Sequence, residues 1–214
     1  MPPAPAFPVV LIGGGGHALV VAEALRAAGL EPAGFYDDDP LARMGRFSSA
    51  HAPAPRHLGT LARIDLPPDV RYILALGDLP LRRRVAATLP YEQAVSVVHA
   101  EAFVAPSSRR GVGLFIGPRA VVHTLADLDD HAIINTAAVV EHECHVGEGA
   151  HIAPGAVLGG NVRVGPHALV GLGARVLPGV SIGARCVVGA GCVVLRDLPD
   201  DARVVGVPAR HLSK

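Results

Sequence analysis

Aliphatic residues recur at every sixth position through the second half of the chain. From Gly111 the sequence divides without a slip into GVGLFI, GPRAVV, HTLADL, DDHAII, NTAAVV, EHECHV, GEGAHI, APGAVL, GGNVRV, GPHALV, GLGARV, LPGVSI, GARCVV and GAGCVV, fourteen hexads ending at Val194. The sixth place is Ile, Val or Leu in all of them. The fourth is Ala, Val, Cys or Leu throughout, and the first is Gly in eight. Six is neither a helical period nor a strand period, but it suits a short strand plus a turn. Places four to six alternate in, out, in, as strand side chains must. Places one to three then turn a corner, to which the glycines are assigned. Three such faces close a coil of eighteen residues, and stacked coils pair parallel strands. The repeat therefore predicts a parallel β-helix.

The first hundred residues have a different rhythm. Val9–Ile12 reads as a strand, followed by a glycine turn and a helix whose apolar residues Val20, Val21, Ala24, Leu25 and Ala28 recur at helical spacing. Gly29 ends that helix. A second strand closes at Phe35–Tyr36, before Asp37, Asp38 and Asp39. VRYILALGD reads as a third strand, a helix follows from Leu81, and AVSVVH reads as a fourth strand. The stretch SSAHAPAPRHLGT is taken as a loop with no readable chemistry. Together these predict an α/β half-Rossmann domain over residues 1–100, a β-helix over 101–194 and a capping segment over 195–214.

Composition narrows the function classes. Aromatics are 4% of the 214 residues and Trp is absent, which fits a narrow core of Val, Ala, Leu and Ile. Lys plus Arg and Asp plus Glu balance at 19 each, so no basic excess points to nucleic acid. No apolar run approaches the roughly 20 residues that span a bilayer. The N-terminal MPPAPAFPVVLIGGGG lacks a basic region and is not read as a signal peptide, so the cytoplasm is the expected location. Three cysteines argue against a disulfide framework. Cys144, Cys186 and Cys192 all occupy fourth places and are expected to be small core residues.

Two stretches carry candidate chemistry. Gly13, Gly15 and Ala18 match G-x-G-x-x-A, with an acidic group some two dozen residues on, which suggests a phosphate over a helix N-terminus. A tight strand-to-helix turn without a ligand is the bland alternative. The second stretch is VVEHECHVGEGAHIAPGAVLGG, Val139–Gly160. Hexad phase disperses its reactive side chains. His142 falls at a second place, on a corner, with Glu143 beside it. Cys144 points inward and His145 outward, so the two cannot share a metal ion. His151 falls at a fifth place nine residues on, half a coil away. No two histidines of the repeat are five apart, unlike β-helix carbonic anhydrases, so no metal is expected. His123, His131, His145 and His167 are read as solvated or interface residues.

GGGGH (Gly13–His17), FYDDD, ALGD, NTAAVVEHECHVGEGAHIAPGA and the terminal VVGVPAR, combined with the repeat, resemble the bacterial nucleotide-sugar acetyltransferases. These include the N-acetyltransferases of the bacillosamine pathway, the perosamine N-acetyltransferases and the sialic acid O-acetyltransferases. The resemblance covers nearly the whole chain. It implies a left-handed β-helix, a homotrimer and acetyl-CoA as co-substrate. It implies His142 as general base, with Glu143 raising its basicity, and Asn135 in support. It places His151, Leu172 and Ala190 along the CoA channel. It gives Gly15, Gly16, His17, Asp37, Asp38 and Gly77 to a sugar nucleotide of UDP or GDP type. The turn departs from some relatives in offering four glycines and no Ser or Thr hydroxyl.

The chemistry suits these residues. Acetyl transfer to an amine needs a group that takes a proton near neutral pH, as imidazole does. A carboxylate on its other nitrogen fixes the tautomer, with Glu143 first and Glu141 in reserve. Gly160 lies one coil after His142, where a bare backbone N–H offers an oxyanion donor. The resulting expectation is an N-acetyltransferase acting on a nucleotide-linked 4-amino-4,6-dideoxy sugar. A sugar O-acetyltransferase and a non-catalytic trimeric nucleotide-sensing scaffold stand as alternatives. Hexad phase puts His142 on one side of the prism and His151, Leu172 and Ala190 on another, so each site is expected to combine two subunits of the trimer.

Overall fold

The computed structural model describes residues 7–48 and 53–212. It divides into two compact units, Met1–Ala100 and Glu101–Lys214. Among the described residues no helix is long and apolar enough to cross a membrane.

The first unit is built on a parallel sheet. Strands β1 (Val9–Ile12), β2 (Pro32–Tyr36), β3 (His57–Gly59) and β4 (Arg71–Leu74) lie in the order β3-β2-β1-β4. Helix α1 (Gly16–Ala27) joins β1 to β2, and α2 (Leu79–Ala86) follows β4. β1 is buried along its whole length, as a central parallel strand must be. Ala18, Val21, Ala22, Ala24 and Leu25 form the buried stripe of α1. Asp78 caps α2, its carboxylate accepting the Leu81 N–H at 2.7 Å. Arg82 is fully buried and donates to the Leu74 carbonyl. Burial lowers its pKa to about 9 and raises that of the neighbouring Tyr72 to about 12.

Two readings of this unit need correction. The fourth strand of the sheet is His57–Gly59, while AVSVVH meets β4 through an isolated parallel bridge of Ala94 to Tyr72, and the strand Val97–Val98 within that motif lies outside the sheet. His57–Gly59 belongs to the stretch read as a plain loop, of which residues 49–52 lie outside the described residues. It is three residues long and shows no apolar alternation. Its pairing with β2, which includes Phe35 N–H to the Arg56 carbonyl at 2.9 Å, is what makes it a strand.

The second unit is a parallel β-helix of three faces. One face stacks strands that begin at Phe103, Val121, Val139, Val157, Arg175 and Val193. The second stacks those beginning at Arg109, Asp127, His145, Arg163 and Ser181. The third stacks those beginning at Phe115, Ile133, His151, Leu169 and Val187, and Arg203–Val205 continues it. Fourth- and sixth-place residues are buried in every hexad, including all three cysteines. Each buried aliphatic stabilises the prism by roughly 1.5–3 kcal/mol before ordering entropy is set against it. Fifth places face outward, except that Phe115 and Ile133 are buried.

The coil runs beyond the legible repeat at both ends. Arg109–Arg110 pairs with Asp127–Leu128 although its sixth place is an exposed arginine. After Val194, Arg203–Val205 stacks on Val187–Val188 and is met antiparallel by Arg210–His211.

Glycine serves a different purpose from the one its place in the hexad suggested. The left-handed bend is at the third place, where all fourteen residues have φ between 54° and 75°, yet only six are glycine. Arg119, Leu125, His131, Ala137, Glu143, Asn161, His167 and Arg185 take the same conformation. The first-place glycines do not need positive φ. They answer to crowding: a Cβ at Gly165 would lie 2.6 Å from the Ala184 nitrogen, and one at Gly171 2.5 Å from the Val188 carbonyl oxygen, both on the next coil.

Candidate active site

His142 stands on a corner of the β-helix, in a stack held by backbone bonds. Glu143 N–H donates to the Thr124 carbonyl at 3.0 Å and Asn161 N–H to the His142 carbonyl at 2.8 Å. The positive φ of Glu143, 59°, accompanies a side chain that folds back onto its neighbour. His142 Nδ1 is 3.0 Å from Glu143 Oε2. An ionised carboxylate only accepts, so Nδ1 carries the proton and Nε2 presents its lone pair. Glu141 is engaged elsewhere, its Oε2 accepting the His142 backbone N–H at 3.4 Å. The geometry thus separates the two carboxylates that the sequence left as alternatives. Both His142 and Glu143 are about half exposed, within reach of a substrate.

Gly160 lies one coil above His142, against the ring. A Cβ there would stand 2.5 Å from both Cε1 and Nε2 of the imidazole. The glycine therefore makes room for the ring, whatever its N–H does.

Asn135 is paired with His151, not with His142. Its Nδ2 lies 3.0 Å from His151 Nε2, while its Oδ1 accepts the Thr136 N–H at 2.8 Å. With the amide oriented in this way, His151 Nε2 is the acceptor and the ring proton sits on Nδ1. His151 belongs to a different face from the strand that follows His142. Leu172 and Ala190 share another corner one coil apart, the Gly191 N–H donating to the Leu172 carbonyl at 2.7 Å. On the His145 face, Asp127, Asp129 and His145 converge, with His145 Nε2 3.3 Å from Asp129 Oδ2 and Arg109 Nε 3.5 Å from Asp127 Oδ2. The three are half-buried, and one ligand atom from each lies within 4.8 Å of the others.

A second cluster forms at the C-terminal ends of β1, β2 and β4. The strand order reverses between β1 and β4, where open α/β sheets bind ligands. Gly15 caps α1 and Gly16 opens it, with His17 next, and a Cβ at Gly77 would lie 3.8 Å from the His17 Cβ. Asp37 is drawn into the turn: its carboxylate accepts the Gly14 N–H at 2.6 Å and the Asp39 N–H at 2.9 Å. Asp38 accepts the Leu61 N–H at 2.9 Å. Both aspartates therefore brace backbone here, a role the motif alone did not disclose.

Known proteins match both units of the chain. The PglD N-terminal domain matches residues 8–89, and the bacterial transferase hexapeptide (six repeats) matches residues 161–196. The structure of PerB from Caulobacter crescentus, in complex with CoA and GDP-perosamine, is 39% identical. It matches over 97% of this chain and 98% of that one, with a TM-score of 0.84. The acetyltransferase domain of PglB from Neisseria gonorrhoeae, in complex with acetyl coenzyme A, is 33% identical over 96% and 98%, also with a TM-score of 0.84. WeeI from Acinetobacter baumannii, at 24% identity and a TM-score of 0.80, shares the fold.

A half-Rossmann unit followed by a left-handed β-helix of hexapeptide repeats defines an acyltransferase. Within that class, the chain belongs to the family of nucleotide-amino-sugar N-acetyltransferases that includes PerB and the PglB acetyltransferase domain.

Proposed function

We propose that the protein transfers the acetyl group of acetyl-CoA to the amine of a nucleotide-linked 4-amino-4,6-dideoxy sugar, with His142 as general base. The observation that carries this reading is the His142 Nδ1–Glu143 Oε2 contact of 3.0 Å on an open corner. Relatives captured with CoA and GDP-perosamine, and with acetyl coenzyme A, support the two substrates.

The sugar amine attacks the thioester carbonyl carbon, and a carbon–nitrogen bond forms. Nε2 of His142 takes the proton that the nitrogen must lose, and Glu143 stabilises the imidazolium. Collapse of the tetrahedral intermediate breaks the carbon–sulfur bond, and the departing thiolate receives the proton held by His142. Gly160 N–H is the oxyanion donor in this scheme. The Asn135–His151 pair, with Leu172 and Ala190, lines the CoA channel of a neighbouring subunit in a homotrimer. Gly15, Gly16, His17 and Gly77 receive the sugar nucleotide, and Asp37 and Asp38 hold the turn in shape.

Thiol release from acetyl-CoA in the presence of UDP- and GDP-linked 4-amino-4,6-dideoxyhexoses is the direct assay. His142→Ala should lower kcat by about 10²–10⁴, the usual share of a general base. Activity within a few-fold of wild type would remove His142 from that role.

A further inference from the structure

The four glycines of the β1–α1 turn are not equivalent. A Cβ at Gly13 would lie 2.8 Å from the Ala75 carbonyl oxygen, and the residue has a φ of 117°. A Cβ at Gly14 would lie 2.7 Å from the Phe35 ring and 2.8 Å from Ala42. Packing demands glycine at both. Nothing approaches within 4 Å of a Cβ built on Gly15, whose φ of −79° any residue adopts. At Gly16 the only neighbour within that distance is Nη1 of Arg43, 3.8 Å away. Gly16 is also the first residue of α1, where glycine is a poor helix former. Neither conformation nor packing requires glycine at these two positions. They leave a cradle into which a ligand can approach the backbone.

Arg43 is held over this cradle. It lies on the 3-10 helical turn Arg43–Arg46. That turn is fastened to the glycines by the Met44 N–H, which donates to the Gly14 carbonyl at 2.9 Å, and by Ala42 packed on Gly14. Met44 itself is fully buried, so the turn cannot swing freely. Arg43 and the N-terminus of α1 bring positive potential to the turn, opposite the Asp37 carboxylate on the Gly14 N–H. The first turn of α1 has no acidic residue, and Gly15 supplies no side-chain cap. The Asp37 carboxylate is committed to the Gly14 and Asp39 N–H groups. Among the described residues no carboxylate forms an ion pair with Arg43.

We propose that Arg43 grips the diphosphate of the nucleotide sugar where it settles over Gly15 and Gly16, supplying the side-chain donor that a four-glycine turn lacks. This rests on the nucleotide-sugar reading given above and adds a residue to it. A guanidinium fork matches two phosphoryl oxygens better than an ammonium does.

Steady-state kinetics of the full chain test the assignment, with acetyl-CoA and a GDP- or UDP-linked 4-amino-4,6-dideoxyhexose. Arg43→Ala should raise KM for the nucleotide sugar about 10- to 100-fold, the range of a charge-assisted bond. KM for acetyl-CoA and kcat should stay near wild type, and Arg43→Lys should recover part of the loss. Gly16→Ala should raise the same KM without lowering Tm, because its cost falls on the ligand and not on the fold. A nucleotide-sugar KM unchanged in Arg43→Ala overturns the assignment. Should the wild type acetylate no nucleotide amino sugar, the substrate reading is what fails. Calorimetry with GDP and UDP alone then decides the role of Arg43, and wild-type affinity in Arg43→Ala would refute it.

Discussion

At the residue scale, the conformation of Glu143 links architecture to chemistry. The third place of each hexad bends through the left-handed region whatever residue occupies it, at a cost of about 1 kcal/mol or more for a residue with a Cβ. At Glu143 this bend accompanies the carboxylate's contact with His142, so the geometry of the pair follows from the geometry of every corner. The first-place glycines obey a different constraint. Gly165→Ala would put a Cβ 2.6 Å from the Ala184 nitrogen, a backbone atom that cannot step aside alone. Destabilisation of about 1–3 kcal/mol is expected, the usual range for overpacking, and thermal unfolding would show it as a lowered Tm. An unchanged Tm would mean that neighbouring coils slide apart more easily than their hydrogen bonds suggest. The type and place of His142 and Glu143 were legible from the hexad phase. The Asn135–His151 contact was not, because it joins a turn residue to a strand of the next coil, and the two side chains meet only when the coil closes.

At the element scale, two-residue strands are stable because each pairs with a neighbouring coil, the inner ones on both sides, and its hexad packs inward side chains. Cys144, Cys186 and Cys192 fill fourth places within this stack and are at most 1% exposed. Burial pushes all three thiols up in pKa, which leaves little thiolate at neutral pH. A thiol reagent should therefore find none of them in the native protein and all three after unfolding in denaturant. Rapid labelling of the native chain would place at least one thiol outside the core. Native silence also keeps the CoA-release assay free of background. The elements that escaped the sequence pattern did so for the same physical reason. His57–Gly59 and Arg109–Arg110 are short, polar at the positions that usually signal a strand, and defined by their partners β2 and Asp127–Leu128.

At the scale of the whole molecule, the β-helix keeps His142 and the Asn135–His151 pair on separate sides of one prism. If the proposed trimer combines them across subunits, a mixture of His142→Ala and His151→Ala chains, unfolded and refolded together, will contain some sites with both histidines intact. Activity above that of either parent is the expected result. Mixtures no more active than their parents would mean that base and CoA contact come from one chain.

The period, the inward and outward places, the burial of the cysteines and the corner on which His142 stands were all readable from the hexads. Those follow from local alternation and from an eighteen-residue coil, and need no long-range information. Tertiary structure decided which carboxylate meets the imidazole, which histidine takes the Asn135 amide, and which glycines are required by packing. It also brought Arg43 over the glycine turn, from a segment with no signal of its own. Those outcomes depend on where backbones pass one another within a few tenths of an ångström, and periodicity carries no record of that distance.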